Sequence, residues 1–295
     1  MLRLIYRQRR RLLFGTFFGT LALMLMALNQ AGTEFLYEQA TWITLVALGL
    51  TTLVVALALF LGSTLFLLLL PNWRMMIEFL PFVLFVNAVL NNLVPGWTEI
   101  PYIGVVMPIA LTMVIFSLMY GEALDRLRLW VDYRSKRSFV SPKSAEELWA
   151  ELVPGEAPIE NHWDSLLYSL EPDPEDPDSL IAEYTHGSSV YEHQTMTFLD
   201  KAAPTHARYH HVGEVDPKNR SLVEGIYEVH ITPREKGGCL VTLDERRDLM
   251  VHRQALMMWF DDHLGDQADH LQSQHLGRRD WSQTGRYRRK VGQFA

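Results

Sequence analysis

The chain has 295 residues, room for about two domains, and its formal net charge at pH 7 is −7. Its single cysteine, Cys239, excludes an intramolecular disulfide framework, so nothing indicates an oxidising compartment. Four uninterrupted apolar stretches lie before residue 121, whereas all eleven histidines and 27 of the 34 acidic residues lie after residue 141. The chain therefore consists of two unlike halves.

The apolar stretches predict four membrane-spanning helices within a transmembrane anchor, residues 1–121. At about 1.5 Å of rise per residue, each can cross or nearly cross a hydrocarbon core of about 30 Å. The second is too long for one upright helix, so it must tilt, protrude or break. We interpret the first as an uncleaved anchor, because MLMALNQAG is a poor cleavage site. The predicted spans are residues 12–28, 41–70, 77–94 and 105–120.

The basic residues that flank these stretches predict the orientation of the chain. Arginines occur before the first span, between the second and third, and after the fourth, and the other two links have no Lys or Arg. Basic flanks stay on the cytoplasmic side. We therefore predict a bacterial inner-membrane protein with both termini in the cytoplasm.

Few polar residues lie inside the predicted spans. Asn87 and Asn91 are four residues apart and share one helix face. This face is either a polar path or ligand site, or a surface that bonds neighbouring helices, as asparagine commonly does in membranes. Glu78 is the one charged residue within the spans and lies at an end, which argues against a proton-coupled transporter.

Residues 122–136 read as an amphipathic juxtamembrane connector, because Leu124, Leu127, Trp130 and Val131 recur at helical spacing. We expect it to extend the fourth helix. A short strand, Ser138 to Val140, follows. Ser144 and Glu147 then form a capping box that starts a short helix.

The rest of the second half predicts a sheet and a closing helix. After a linker rich in Pro, Asp and Glu at 170–179, five runs show the period-two alternation of strands. Short turns at HGSS, KAAP, DPKN and PREKGG make neighbouring strands antiparallel. One long helix, Val251 to Leu276, should cover the apolar face of the sheet. The five runs are LIAEYT, VYEHQTMTFLD, THARYHHVGEV, RSLVEGIYEVHIT and GCLVTLDERRDLM.

Residues 137–277 resemble the START-like superfamily, also called SRPBCC or helix-grip. The resemblance rests on SFVSPKSAEELWAEL, on the tryptophan-bearing HWDSLLYSL, on the GCLVT strand and on the terminal helix. It implies an α+β domain whose curved antiparallel sheet wraps a long helix around an apolar cavity. In relatives that cavity holds sterols, phospholipids or other apolar molecules, and some relatives are cyclases or aromatases.

A cavity of that kind is the usual form of a small-molecule site. If it is present, aromatic and apolar side chains of the strands and closing helix would line it; the alternative is that they fill a closed core. A general acid or base in it is conceivable at Tyr227, Glu228 or His230. The candidate lining residues are Tyr184, Met196, Phe198, Tyr209, Tyr227, Leu256, Trp259 and Phe260.

No metal site and no cofactor are predicted. His263 and His270 are seven residues apart on the predicted helix, about 10 Å, which is too far for one ion. His210 and His211 are strand neighbours and point to opposite faces. No nucleophile elbow, P-loop or dinucleotide fingerprint occurs.

The tail, residues 278–295, is basic, whereas residues 142–276 hold 26 acidic against 10 basic residues. The anionic inner leaflet or the acidic domain itself is a simpler partner for this tail than nucleic acid. Three functions stay open: a membrane-tethered binding or transfer protein for a hydrophobic small molecule or lipid, an enzyme of the cyclase or aromatase type, and a ligand-free scaffold with a protein partner.

Overall fold

A computed structural model describes residues 1–31, 41–127, 129–186, 191–216 and 221–291. The chain forms two compact units: a helical unit, Gln8–Leu124, and a sheet unit that combines Met1–Arg7 with Asp125–Ala295. The link after the first predicted span and two of the predicted turns fall at 32–40, 187–190 and 217–220, outside the described residues.

The helical unit contains three helices that are long and apolar enough to cross a membrane, in line with a membrane protein. In the second of these helices, Trp42–Leu69, almost all side chains are not buried by the rest of the protein, as expected for a helix in contact with lipid. A fourth apolar helix has 17 residues, so the count of four spans stays a prediction. The helices, in chain order with the short N-terminal α1 (Leu2–Arg7), are α2 (Arg9–Ala31), α3 (Thr41–Leu69), α4 (Met76–Leu93) and α5 (Ile103–Met119).

A buried ion pair lies inside the helical unit. Arg11 Nη1 donates to Glu78 Oε1, both side chains are fully buried, and the Tyr120 hydroxyl donates to the same oxygen at 2.6 Å. Asn87 donates to Val83 O at 2.9 Å within its own helix. The described contacts thus connect Glu78 to Arg11 and Tyr120 of other segments, and both interpretations of the Asn87 and Asn91 face stay predictions.

The sheet unit is built on seven antiparallel strands in the order β1-β7-β6-β5-β4-β3-β2. All five predicted strand runs are confirmed to within a few residues. The strands are β1 (Trp130–Ser141), β2 (Leu167–Pro172), β3 (Ser179–Thr185), β4 (Tyr191–Ala202), β5 (His206–Asp216), β6 (Ser221–Pro233) and β7 (Cys239–Val251).

The helical connector predicted at 122–136 is wrong, because β1 already begins at Trp130 and pairs with β7 along its whole length. Its buried residues Tyr133 and Ser135 alternate with exposed ones, and this strand period prevails over the helical spacing of the preceding leucines. The linker predicted at 170–179 is also wrong. It forms the end of β2 and the β2–β3 turn, where Asp176 accepts from Ser179 Oγ at 2.7 Å.

The closing helix is two helices rather than one, α7 (His252–Asp261) and α8 (His263–His275), preceded in the chain by α6 (Ala145–Leu152). Asp262 lies between them in the left-handed conformation at φ 48° and ends α7. The predicted capping box of α6 is confirmed, since Glu147 N donates to Ser144 Oγ and Ser144 N donates to the Glu147 carboxylate.

The apolar core lies between the sheet and helices α6 and α8. Leu264, Ala268 and Leu271 form one buried stripe of α8. This stripe meets the alternate residues of β5, β6 and β7 that point inward, and Leu148 and Leu152 of α6 complete the layer. We call this side of the sheet the inner face; residues of the intervening parity lie on the outer face. The core is what a helix-grip domain requires.

Two arginines that are distant in sequence converge on the helix break. Asp262 is 1% exposed and accepts from Arg7 Nη1 at 2.9 Å and from the Arg137 guanidinium. Arg7 also donates to Asp269 at 2.8 Å. The segment Met1–Arg7 is therefore held on the closing helices by charge.

Replacing Asp262 by Asn should destabilise the sheet unit by roughly 1–3 kcal/mol, because Arg7 and Arg137 lose a charged, buried acceptor. Asp262→Ala should cost more, since Asn tolerates the left-handed conformation and Ala does not. Urea unfolding of the full chain in detergent, followed by hydrogen exchange of the strand amides, measures both. If the Asp262→Asn variant were as stable as wild type, the contacts of Arg7 and Arg137 with Asp262 would not stabilise the fold.

Candidate functional site

An aromatic cluster covers the inner face of β3 to β6. Tyr184, Met196, Phe198, Tyr209 and Tyr227 pack together there. The rings of Tyr209 and Tyr227, which are register partners, lie 5.6 Å apart, and those of Phe198 and Tyr209 lie 5.8 Å apart. Five of the eight predicted lining residues are thus brought together by strand alternation.

The hydroxyls of this cluster stay protonated. Burial raises the pKa of Tyr209, and it raises the pKa of Tyr184 and Tyr227 well above the ordinary value. Tyr227 Oη accepts from Gln267 Nε2 of α8 at 2.9 Å, which leaves its proton available to another acceptor. The cluster therefore offers hydrogen-bond donors in apolar surroundings.

A buried ion pair adjoins the tyrosines on the same face. Glu245 of β7 is the register partner of Tyr227 and is 2% exposed. Its Oε1 accepts from Arg247 Nε at 2.7 Å, whereas its Oε2 is buried and has no hydrogen-bond partner among the described residues. Burial raises the pKa of Glu245, but the charge and hydrogen bond of Arg247 outweigh it and keep the carboxyl ionised. A buried carboxylate oxygen without a partner is costly, so it requires an explanation.

His211 and Glu192 extend this charged group. His211 of β5 is 6% exposed, and its pKa is lowered to about 4, first by burial and then by the Arg247 charge. Glu192 of β4 accepts from His186 Nε2 at 2.9 Å and from Gln194. At neutral pH the inner face therefore holds a neutral imidazole beside two carboxylates and one guanidinium.

The stability of the sheet unit should fall as the pH drops from about 6.5 to about 4, by about 3 kcal/mol for His211 alone. The unfolded chain takes up this proton near pH 6.5, whereas the folded chain resists it until about pH 4. The His211 contribution is thus complete above 6.5, decreases through the window and is constant below it. His186 gives the opposite slope, because its hydrogen bond to Glu192 raises its pKa.

The difference between wild type and His211→Gln isolates the His211 contribution from the other titrating groups. Urea unfolding of both proteins at several pH values between 4 and 7 measures it. We expect a shallower pH dependence for the variant, and parallel curves would contradict a neutral buried imidazole.

The last helix, α9 (Gln283–Val291), covers part of the sheet unit. Arg288 donates to Trp163 O at 2.9 Å, pairs with Asp164 at 3.1 Å and lies over the Trp163 ring. Asp266 of α8 accepts from the backbone N–H groups of Gln283 and Thr284. Part of the basic tail is therefore bound to the acidic domain, one of the two partners expected for it.

Several predicted site residues lie elsewhere. Glu228 and His230 are on the outer face, because they alternate with the buried Val229 and Ile231, so they cannot share an inner-face pocket with Tyr227. Trp259 is 45% exposed and packs on Phe260, which is buried. Leu256, Trp259 and Phe260 are not members of the aromatic cluster.

A small cleft opens beside Arg247, between the ends of β6 and β7 and helix α7. Its volume of about 10 Å³ is enough for about one water molecule. A ligand larger than water therefore fits this cleft only if side chains or α7 move. Its lining residues are Val223, Glu224, Arg247, Asp248, Met250 and Gln254.

Comparison with known proteins shows similarity in structure alone. No family model matches the chain, and no curated protein matches it. Solved structures that align with it include a protein from Rhizobium loti (11% identity, 46% of this chain, 96% of that chain, TM-score 0.35). Others are a conserved protein from Geobacillus kaustophilus (15%, 55%, 96%, 0.34) and a norcoclaurine synthase point mutant from Thalictrum flavum with a transition-state analogue (14%, 50%, 96%, 0.34). TM-scores this low say nothing about function. The functional argument therefore rests on the side chains of this protein.

The charged part of the inner face was not anticipated from the sequence. In GCLVTLDERRDLM, Val241, Leu243, Glu245 and Arg247 share one strand parity, and the first two are buried. The same alternation therefore places Glu245 and Arg247 on the buried face. Continuing the period-two pattern past Leu243 would predict that Glu245 and Arg247 are buried.

Proposed function

We propose that this protein is a membrane-tethered binding protein for a hydrophobic small molecule or lipid that carries a polar group. The ligand's apolar part would lie on the aromatic cluster, and its polar group would meet Tyr227, Glu245 and Arg247. The observation that carries the proposal is that Glu245 Oε2 has no hydrogen-bond partner within the described ranges, on the strand opposite the buried Tyr227. A ligand donor at this oxygen would remove the cost of burying it.

The proposed location is an inner membrane of bacterial type, with the sheet unit in the cytoplasm. Arginine distribution supports this side. The contacts of Arg7 with Asp262 and Asp269 support placing the first residues and the sheet unit on one side. Arg289 and Lys290, both exposed on α9, would touch the anionic leaflet. Tethering would hold the site at high effective concentration near the bilayer.

Mass spectrometry of small molecules that co-purify with the full chain in mild detergent tests the proposal. We expect one hydrophobic species in near-stoichiometric amount with wild type. Tyr227→Phe should lower its recovery about fivefold, since one buried hydrogen bond contributes about 1 kcal/mol. Tyr191→Phe is the matched control, because Tyr191 is on the exposed side of β4. This variant should bind as much of the small molecule as wild type does. Equal loading of both variants, or an empty wild-type protein, would overturn the proposal.

An acid–base enzyme is the second candidate, and the buried pair of a neutral His211 and an ionised Glu245 favours it. These two groups take the place of the sequence candidates Glu228 and His230. Conversion of the recovered molecule by wild type but not by Glu245→Gln would support this candidate. Co-purification of a protein partner, with no bound small molecule, would support a ligand-free scaffold.

A further inference from the structure

A cluster of two histidines and two carboxylates lies on the outer face, away from the aromatic cluster. His206 of β5 and His230 of β6 are register partners, and their rings stack with centroids 4.3 Å apart and planes 15° apart. His206 Nε2 lies 3.0 Å and His230 Nε2 2.7 Å from the same oxygen, Oε1 of Glu228. The three ligand atoms lie within 4.8 Å of one another.

Asp200 contacts the second ring nitrogen of His206. Its Oδ2 lies 3.1 Å from His206 Nδ1, so both nitrogens of this ring lie next to a carboxylate oxygen. Carboxylate contact at the second ring nitrogen is also how proteins orient metal-binding histidines.

The Glu228 carboxylate faces the two histidines rather than the arginine opposite it on the next strand. Arg208 is the strand partner of Glu228, yet its Nε is buried without a hydrogen-bond partner in the described part of the chain. The Glu228 carboxylate is thus directed to the histidines, although a guanidinium is close.

We propose that His206, His230 and Glu228 bind a divalent transition-metal ion of the Zn²⁺ class, with Asp200 as the positioning residue. Imidazole nitrogen and carboxylate oxygen are ligands that Zn²⁺ takes at about 2.0–2.2 Å, and three such ligands leave a fourth position for water. The partly exposed ligands give the ion a path from solvent. The ion would join β5 to β6 and is independent of a ligand on the inner face.

The test is titration of the metal-stripped full chain in detergent with Co²⁺, followed by visible absorption, and then competition with Zn²⁺. Wild type should bind one equivalent with the absorption of a four- or five-coordinate ion. His206→Ala and His230→Ala should each lose affinity by more than about a hundredfold, and Asp200→Asn by about tenfold, as outer-shell partners do. His210→Ala is the matched control on the same strand and face; His210 pairs with Glu224 outside the cluster, so binding should be unchanged.

A second readout guards against misfolding. Zn²⁺ should raise the unfolding temperature of wild type and of His210→Ala but not of His206→Ala, since only the folded cluster binds it. Equal Co²⁺ spectra and affinities in wild type and the His206→Ala/His230→Ala double variant would overturn the proposal. So would a loss in His210→Ala as large as in His206→Ala.

Discussion

Replacing Arg247 by Met is expected to destabilise the sheet unit by about 3–5 kcal/mol, the usual cost of removing one partner of a buried ion pair. Glu245 is 2% exposed and would keep a charge with neither of its oxygens paired to a cation. Glu192, on the same face, would also lose the attraction of the Arg247 charge. Urea unfolding of the full chain, read by hydrogen exchange of β6 and β7, measures the change.

Arg246→Met is the matched control, because the neighbouring Arg246 points to the outer face and pairs only loosely with Asp244 at 3.8 Å. It should unfold within about 0.5 kcal/mol of wild type. The double variant Glu245→Leu/Arg247→Met should recover most of the lost stability, since apolar replacement of a whole buried pair is often neutral. Equal losses in Arg246→Met and Arg247→Met would contradict the assignment.

The double variant also separates structure from function. If it is stable but recovers no small molecule, the pair serves a ligand rather than the fold. If it is stable and loads normally, Glu245 and Arg247 do not bind the polar group.

Replacing Leu264 by Ala is expected to cost the sheet unit about 2–5 kcal/mol. Leu264 is fully buried where α8 packs on the sheet, and its removal leaves a cavity that the surrounding core can only partly close. Leu276→Ala, the same change at a side chain that is 37% exposed, should cost well under half as much. Urea unfolding compares them. Similar losses at both positions would mean that α8 is not seated on the sheet as described.

Much of the sheet could be predicted because half-buried antiparallel strands have a strict period of two. That period also brought Tyr184, Met196, Phe198, Tyr209 and Tyr227 to one face. Glu228 and His230 carry suitable acid–base groups, but on β6 they have the opposite parity to Tyr227 and so lie on the outer face. β2 was missed since its run is short and passes directly into an acidic turn.

Other features depend on contacts distant in sequence. The helical periodicity of residues 251–276 is nearly continuous, and the convergence of Arg7 and Arg137 on Asp262 stabilises the break there. The cross-strand pairing of His206 with His230 requires the β5–β6 register, which spacing alone does not supply. Burial of Glu78 against Arg11 likewise depends on how α2 and α4 pack.

The attachment of Met1–Arg7 to the closing helices has a consequence for biosynthesis. The ribosome makes Arg7 255 residues before Asp262 and 262 residues before Asp269. These contacts therefore form only after both acceptors have been made. For the same reason, a protein expressed from residue 125 onward lacks the Arg7 contacts to its closing helices.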